Sequence, residues 1–312
     1  MTRALVTRRL AGEVMDYLAE RVEVVVPSED RPIPRHELLA LAPGARGILA
    51  MLTDTIDEEV LAAAGPGLAV VANHAVGYDN VALAACERRG VIVTNTPGVL
   101  TDATADMAWG LLLAAARRIA EGDRLMRRAA PWEWAPDFML GREVTGATLG
   151  IVGFGRIGRA VARRAEGFAM RVLVHTRTPV PGAVDLGHLL READVVSIHL
   201  PLTEETRGMF GAEVFGAMKR TAILINTSRG PIVDEGALAE ALASGEIAAA
   251  GLDVYEREPE AYPALLALEN VVLAPHLGSA TVQTRIAMGM LAARNLVAVV
   301  SGEPPVTPVV SR

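Results

Sequence analysis

About half-way along the chain, Leu149-Gly-Ile-Val-Gly153-Phe-Gly155-Arg156-Ile157-Gly158 runs a short apolar stretch into three spaced glycines. A strand that ends in this spacing and continues as a helix forms a turn suited to a pyrophosphate. The first glycine makes the tight turn, and the second lets the backbone approach the phosphates. The third lets the helix pack close, with its N-terminal amides facing the phosphates. Arg159–Phe168 reads as that helix. The glycine spacing alone is a weak signal, because ordinary strand-to-helix turns also use glycine. The strand before it and the helix after it give it meaning. About 150 residues precede the turn, enough for a separate domain.

That first stretch alternates short β-branched runs with Ala/Leu/Glu runs. Ala4–Val6, Val22–Val26, Gly47–Leu52, Ala69–Ala72 and Val91–Thr94 read as strands, with helices such as Asp57–Ala64 and Val81–Arg89 between them. Thr96-Pro97-Gly98 breaks the alternation, and Asp102–Arg118 follows as a long helix capped by Thr101 or Asp102. A second series begins at Thr148, with later strands at Val172–His175, Val195–Leu200, Ala222–Asn226, Ala248–Asp253 and Val271–Ala274. Thr281–Val300 returns to helix before a Pro-rich tail. Such alternation predicts an α/β chain: two doubly wound parallel sheets, Rossmann- or flavodoxin-like, in two lobes with a cleft between them. One lobe is expected over 1–100 and 282–312, the other over 101–281.

A net charge of −7 with no long basic run argues against nucleic acid or an anionic membrane as partner. The single cysteine, Cys86, excludes an internal disulfide, suits a reducing compartment, and reads as core within an Ala-rich helix. No Cys-x-x-Cys or His-x-Glu-x-x-His spacing suggests a metal. The N-terminus carries no apolar leader, and the longest apolar run, Met107–Ala116, falls short of the ~20 residues that span a bilayer. A cytoplasmic protein is expected.

In open α/β sheets, ligands gather off the carboxyl ends of the strands. Three such ends in the second series are polar: Asn226-Thr-Ser-Arg229-Gly230, Asp253-Val-Tyr-Glu-Arg-Glu258-Pro259 and Pro275-His276-Leu-Gly278-Ser279. Singly, each has an ordinary reading as a turn arginine, a solvated loop acid or a structural histidine. Together, on one edge with a dinucleotide turn, they are a kit for hydride transfer to a 2-oxo acid. Arginine can grip the carboxylate and carbonyl with its planar fork. Histidine can give a proton to the carbonyl oxygen. Glutamate can orient the imidazole and favour its protonated form.

These blocks, with Ala75-Val-Gly77-Tyr-Asp79-Asn ahead of them, resemble the D-isomer-specific 2-hydroxyacid dehydrogenase family over nearly the whole chain. Thr94-Asn-Thr-Pro-Gly-Val-Leu-Thr-Asp-Ala-Thr104-Ala-Asp and Ala274-Pro-His276-Leu-Gly-Ser-Ala-Thr281 are especially similar to its glyoxylate/hydroxypyruvate reductase branch. The resemblance implies catalytic roles for Arg229 as carboxylate binder, Glu258 as partner and His276 as acid/base. It implies that Val76 and Gly77 hold the substrate carboxylate through their backbone, with Leu52 lining the pocket. The first lobe then binds substrate and the second the dinucleotide. Asp253 would bond the nicotinamide carboxamide, and Arg156 and Ile157 would lie on the pyrophosphate with Phe154. Thr104, Leu200, Pro201, Thr206, Thr227, Ser228 and Gly278 complete the implied cofactor contacts. Trp132, in Trp132-Glu-Trp134, resembles a residue that reaches the neighbouring subunit's active site, and with the long helix from Asp102 it implies a homodimer. Its other reading is a loop with two half-buried tryptophans. A glutamine in place of Glu258 would instead resemble formate dehydrogenase.

An NAD site places an acid about twenty residues beyond the glycines, on the ribose 2′-hydroxyl. The second strand here ends His175-Thr176-Arg177-Thr178, and Asp185 comes too late. Arg177 with its two flanking threonines offers donors to a 2′-phosphate, so NADP(H) is expected to be preferred, with NAD(H) possible. The expected reaction is reduction of glyoxylate and hydroxypyruvate. Two alternatives stay open. One is a D-3-phosphoglycerate or other D-2-hydroxyacid dehydrogenase, against which stand the absence of a regulatory tail within 312 residues and the NADPH reading. The other is a non-catalytic dinucleotide sensor like the corepressors that resemble this family.

Overall fold

The computed structural model of the chain describes residues 1–309, so the last three residues of the expected first lobe and Pro-rich tail lie outside the described residues. The chain divides into two compact units: Met1–Leu100 with the segment from Thr281, and Thr101–Ala280. The second break falls one residue before the expected 282. Thr281 caps the last helix, its hydroxyl accepting the Thr284 amide at 3.2 Å, and so belongs with that helix.

The first unit runs β1 (Arg3–Val6), α1 (Gly12–Ala19), β2 (Glu23–Val25), α2 (Arg35–Leu41), β3 (Gly47–Ala50), α3 (Glu58–Ala64), β4 (Val70–Asn73), α4 (Leu83–Arg88) and β5 (Ile92–Thr94). The second runs α5 (Thr101–Ala116), α6 (Ile119–Arg127), β6 (Thr148–Val152), α7 (Arg156–Ala165), β7 (Arg171–His175), α8 (Leu186–Glu192), β8 (Val195–Ile198), α9 (Ala212–Gly216), β9 (Ile223–Asn226), α10 (Glu235–Ala243), β10 (Ala249–Leu252), α11 (Pro263–Leu266) and β11 (Val271–Leu273). The chain then returns to the first unit as α12 (Val282–Val300). Every strand pairing is parallel, in the orders β2-β1-β3-β4-β5 and β11-β10-β9-β8-β6-β7. Counted within its own unit, each sheet follows the flavodoxin order, whose switch point lies between its first and third strands.

Helices cover both faces of each sheet, which is why the strands read as near-continuous apolar runs. In the second unit, Trp109 of α5 and Val161 of α7 pack on one face, and Phe210, Phe215 and Leu238 on the other. In the first, Val14 of α1 and Leu296 of α12 cover one face, Leu38, Leu61 and Cys86 the other. Burial pushes the Cys86 thiol up to about 11, which makes it inert at neutral pH. Among the described residues no helix is long and apolar enough to cross a membrane.

Several helix limits differ from the sequence reading, among them Leu83–Arg88 for the helix expected over Val81–Arg89. The long helix starts at Thr101, so Thr101 and Asp102 lie inside its first turn, and it ends at Ala116 rather than Arg118. The Ala116 carbonyl accepts from the Arg142 amide at 2.7 Å, and Arg118 turns left-handed (φ 54°) to open α6. The helix after the glycine turn begins at Arg156, not Arg159, and finishes as a 3-10 turn at Glu166–Phe168. Gly158 is therefore helical.

Candidate active site

Strand register builds the functional edge of the second unit. Val152 pairs with His175 and Ile198, Ile198 with Asn226, Asn226 with Leu252, and Leu252 with Leu273. One step beyond this row the chain carries Gly153, Thr176, His199, Thr227, Asp253 and Ala274. The sequence-predicted residues of the second unit, Thr104 and Trp132 apart, thus leave the sheet together at its carboxyl edge.

The glycine turn meets each demand of its motif. Gly153 has φ +97°, and a side chain there would come within 2.4 Å of the His199 carbonyl. A Cβ on Gly158 would come within 2.1 Å of the Gly153 carbonyl, so only glycine lets α7 approach the turn. Gly155 is different, for a Cβ there would meet nothing within 4 Å. No protein contact accounts for a glycine at that position. Open space beside the first amides of α7 is what a pyrophosphate needs. The Thr227 hydroxyl, buried just past β9 on the same sheet edge, has no partner among the described residues. The residues present therefore fit a bound dinucleotide. Phe154 faces its own helix, with the Arg159 guanidinium 4.4 Å from its ring centroid.

At the rim, Thr176 is half-buried and Arg177 and Thr178 are exposed. Arg177 Nη1 lies 3.5 Å from Glu205 Oε2, an acid on the loop after β8 that the sequence reading passed over. That loop is braced from within: the Thr206 hydroxyl donates to the Pro201 carbonyl at 2.7 Å and accepts the Thr203 amide at 2.8 Å. Thr206 shapes the loop that Leu200 and Pro201 begin.

Arg229 leaves β9 in extended geometry, half-buried, with Nη1 donating to the Ser228 carbonyl at 2.9 Å. The Ser228 hydroxyl donates to the Ile198 carbonyl at 2.6 Å, tying this turn to β8. Glu258 Oε2 sits 2.7 Å from His276 Nδ1, while Glu258 Oε1 accepts the Tyr255 amide at 3.2 Å. His276 has φ 55°. Asp253 imposes that turn: its two carboxylate oxygens accept the Leu277 and Gly278 amides at 2.6 and 2.7 Å. Burial raises the Asp253 carboxyl above its ordinary range, and the two amides oppose that rise. Gly278 packs against Asp253 and Thr104, where a Cβ would stand 3.1 Å from Asp253 Oδ2 and 3.4 Å from Thr104 Cγ2.

Glu235 was missed in the sequence. Buried at the start of α10, it accepts the Glu256 amide at 2.8 Å and the Tyr262 amide at 3.1 Å, anchoring the loop that carries Glu258. An Asp234-Glu235 pair reads as an ordinary helix cap and first turn, and only the folded loop buries it. Trp132 is 52% exposed and stacks on Phe138 at 5.8 Å rather than on any of these side chains. Trp134 is 75% exposed, so the alternative reading, a loop with two half-buried tryptophans, is not what this chain forms by itself. Leu52, Val76 and Gly77 belong to the first unit, half-buried in the loops after β3 and β4. Among the described residues no group of three His, Cys, Asp or Glu side chains could hold a metal.

A profile of the D-isomer specific 2-hydroxyacid dehydrogenase NAD binding domain matches residues 109–278. A glyoxylate reductase of Thermococcus kodakarensis is 50% identical, the match covering 98% of this chain and 95% of the relative. The chain belongs to the D-isomer-specific 2-hydroxyacid dehydrogenase family. Two solved structures extend the likeness. A Thermus thermophilus protein is 49% identical with a TM-score of 0.94, over 99% of this chain and 100% of that one. An NADPH-dependent glyoxylate/hydroxypyruvate reductase from Sinorhizobium meliloti, solved with NADP and malonate, is 36% identical with a TM-score of 0.85, over 99% of this chain and 96% of that one. Within this dehydrogenase family the chain is an oxidoreductase of the glyoxylate reductase branch, with a domain for a nicotinamide dinucleotide.

Proposed function

We propose that this protein reduces small 2-oxo acids, glyoxylate to glycolate and hydroxypyruvate to D-glycerate, with NADPH preferred over NADH. The observation that carries the reading is the Glu258–His276 pair at 2.7 Å, on the same sheet edge as the glycine turn. In this reading the second unit binds the dinucleotide and supplies the proton, and the first unit supplies a carboxylate-holding loop. A reduced nicotinamide, when bound, supplies the hydride.

The chain's own residues do the rest. Glu258 occupies Nδ1 of His276, which leaves Nε2 as the face that gives its proton to the substrate carbonyl oxygen. Arg229 grips the 2-oxo acid's carboxylate through charge-assisted bonds. Asp253 holds the 276–278 turn, and with it the imidazole, in place. The preference for NADPH rests on Arg177 and its threonines standing where an NAD site keeps an acid. A homodimer, with Trp132 directed to the partner's site, belongs to the same reading.

The test is cofactor oxidation by the purified protein, with both NADPH and NADH, on glyoxylate, hydroxypyruvate, pyruvate and 3-phosphohydroxypyruvate. Turnover fastest on glyoxylate or hydroxypyruvate is the expected result. Preference for 3-phosphohydroxypyruvate would move the assignment to a phosphoglycerate dehydrogenase. No turnover on any of them, with dinucleotide still bound, would leave a sensor.

A further inference from the structure

The loop after β4 has an unusual balance of backbone groups. Its three successive carbonyls all have donors: the Thr96 amide on Ala75 at 2.9 Å, Asn95 Nδ2 on Val76 at 2.7 Å, and Asn73 Nδ2 on Gly77 at 2.8 Å. Among the described residues neither the Val76 nor the Gly77 amide donates a hydrogen bond. Carbonyls turned inward with neighbouring amides left open form an anion-binding concavity.

What fixes the donors is distant in sequence. Asn73 exchanges two amide bonds with Asn80 at 3.1 Å each, and Asn80 Nδ2 donates on to the Met51 and Asp54 carbonyls. Asn95 lies just past β5 and is held by Thr307. The Thr307 hydroxyl donates to the Asn95 carbonyl at 2.6 Å and accepts from Asn295 Nδ2 at 2.8 Å. The Thr307 amide donates to Asn295 Oδ1 at 2.9 Å, and the Asn95 amide donates to the Thr307 carbonyl at 3.3 Å. Asn295, on α12, is wholly buried. Thr307 thus spends its amide, carbonyl and hydroxyl on this one joint.

We infer that the segment around Thr307 is a strap that holds the Ala75–Gly77 loop in its anion-binding shape, making Thr307 and Asn95 positioning residues for the substrate carboxylate. The inference rests on reading that loop as part of the carboxylate site. The plainer role for the segment is to cover the open edge of β5, where the Val309 amide donates to the Val93 carbonyl at 2.7 Å. The two roles separate experimentally. Thr307→Val removes the hydroxyl's two bonds, and Asn95→Ala removes only the donor to Val76. Val309→Pro removes an edge bond and leaves the joint intact.

Steady-state kinetics on glyoxylate and fluorescence titration with NADPH decide between them. Thr307→Val and Asn95→Ala are expected to raise KM about tenfold, with kcat within about twofold and cofactor Kd unchanged. Thr307→Ser restores KM, and Val309→Pro keeps it. Wild-type KM in both Thr307→Val and Asn95→Ala, or a parallel loss of cofactor affinity, overturns the inference. If the wild-type protein turns over no 2-oxo acid, the functional reading fails first. The strap is then read by hydrogen exchange of the peptide over 94–98, whose Thr96 amide bonds the loop. Faster exchange in Thr307→Val supports the strap, and unchanged exchange overturns it.

Discussion

Glu258 and His276 meet at 2.7 Å through Oε2 and Nδ1, and the second oxygen of Glu258 is held by the Tyr255 amide. The carboxylate therefore cannot swing away without giving up a backbone bond. The ring is fixed on one side by this acid and on the other by its own strained backbone (φ 55°), which the Asp253 carboxylate enforces through the next two amides. His276→Ala should cut kcat by about a hundred- to ten-thousandfold while cofactor Kd stays near wild type. Glu258→Gln keeps an oxygen that can accept from Nδ1 but loses the charge, so kcat should fall about tenfold with KM little changed. Full activity in His276→Ala would remove the proposed proton donor.

Much of this edge was legible because each candidate residue lies within a few residues of the end of an apolar run, and strand ends in a parallel sheet share one side. Arg229, Glu258 and His276 needed only that rule. The strand order needed the structure, since apolar runs do not say which strand neighbours which. Glu235 stayed hidden because its burial depends on a loop more than a helix away. The Thr307–Asn95 bond joins positions 212 apart, beyond the reach of any local pattern. Arg118 reads as helical because nothing nearby in sequence announces that Arg142 takes the Ala116 carbonyl.

The glycine turn separates fold from ligand. At Gly158 an added methyl would press on the Gly153 carbonyl at 2.1 Å, so Gly158→Ala should destabilise the protein by about 1–3 kcal/mol and weaken dinucleotide binding together. At Gly155 the same methyl meets nothing in the chain, and φ is an ordinary −77°. Gly155→Ala should leave the melting temperature unchanged and raise cofactor Kd about tenfold or more. Calorimetry beside a fluorescence titration reads both. A Gly155→Ala protein with native affinity would show that no phosphate approaches there.

In the proposed reading, cofactor choice turns on Arg177 and the acid beside it. Glu205 lies 3.5 Å from the guanidinium, and both side chains are more than three-quarters exposed, so the pair contributes little stability. A 2′-phosphate must compete with that carboxylate for Arg177. Glu205→Gln should raise kcat/KM for NADPH a few-fold, about three- to fivefold, and leave NADH unaffected. Arg177→Asp should reverse the preference toward NADH. A wild-type protein that prefers NADH would refute the assignment of Arg177.

Acid sensitivity should come from His74, a buried side chain just past β4. Only 4% of it is exposed, and its Nε2 has no partner among the described residues. Burial, with the nearby Arg285 charge, pushes it down from its ordinary 6.5 to about 4. In the unfolded chain it gains a proton as pH falls through 6.5, whereas the folded chain refuses that proton until near 4. Stability is therefore lost across that window, by at most about 3 kcal/mol from this residue. His199, pushed down to about 4 by burial alone, acts in the same direction. The carboxyls of Asp54, Glu235 and Asp253 are raised by burial and act oppositely, favouring the folded state as pH falls through their own range. Comparison with His74→Gln isolates the one histidine. Urea unfolding at about pH 7 and about pH 4.5 should show a smaller loss in the variant than in wild type. Equal losses would mean that His74 is protonated in the folded protein well above its expected value of about 4.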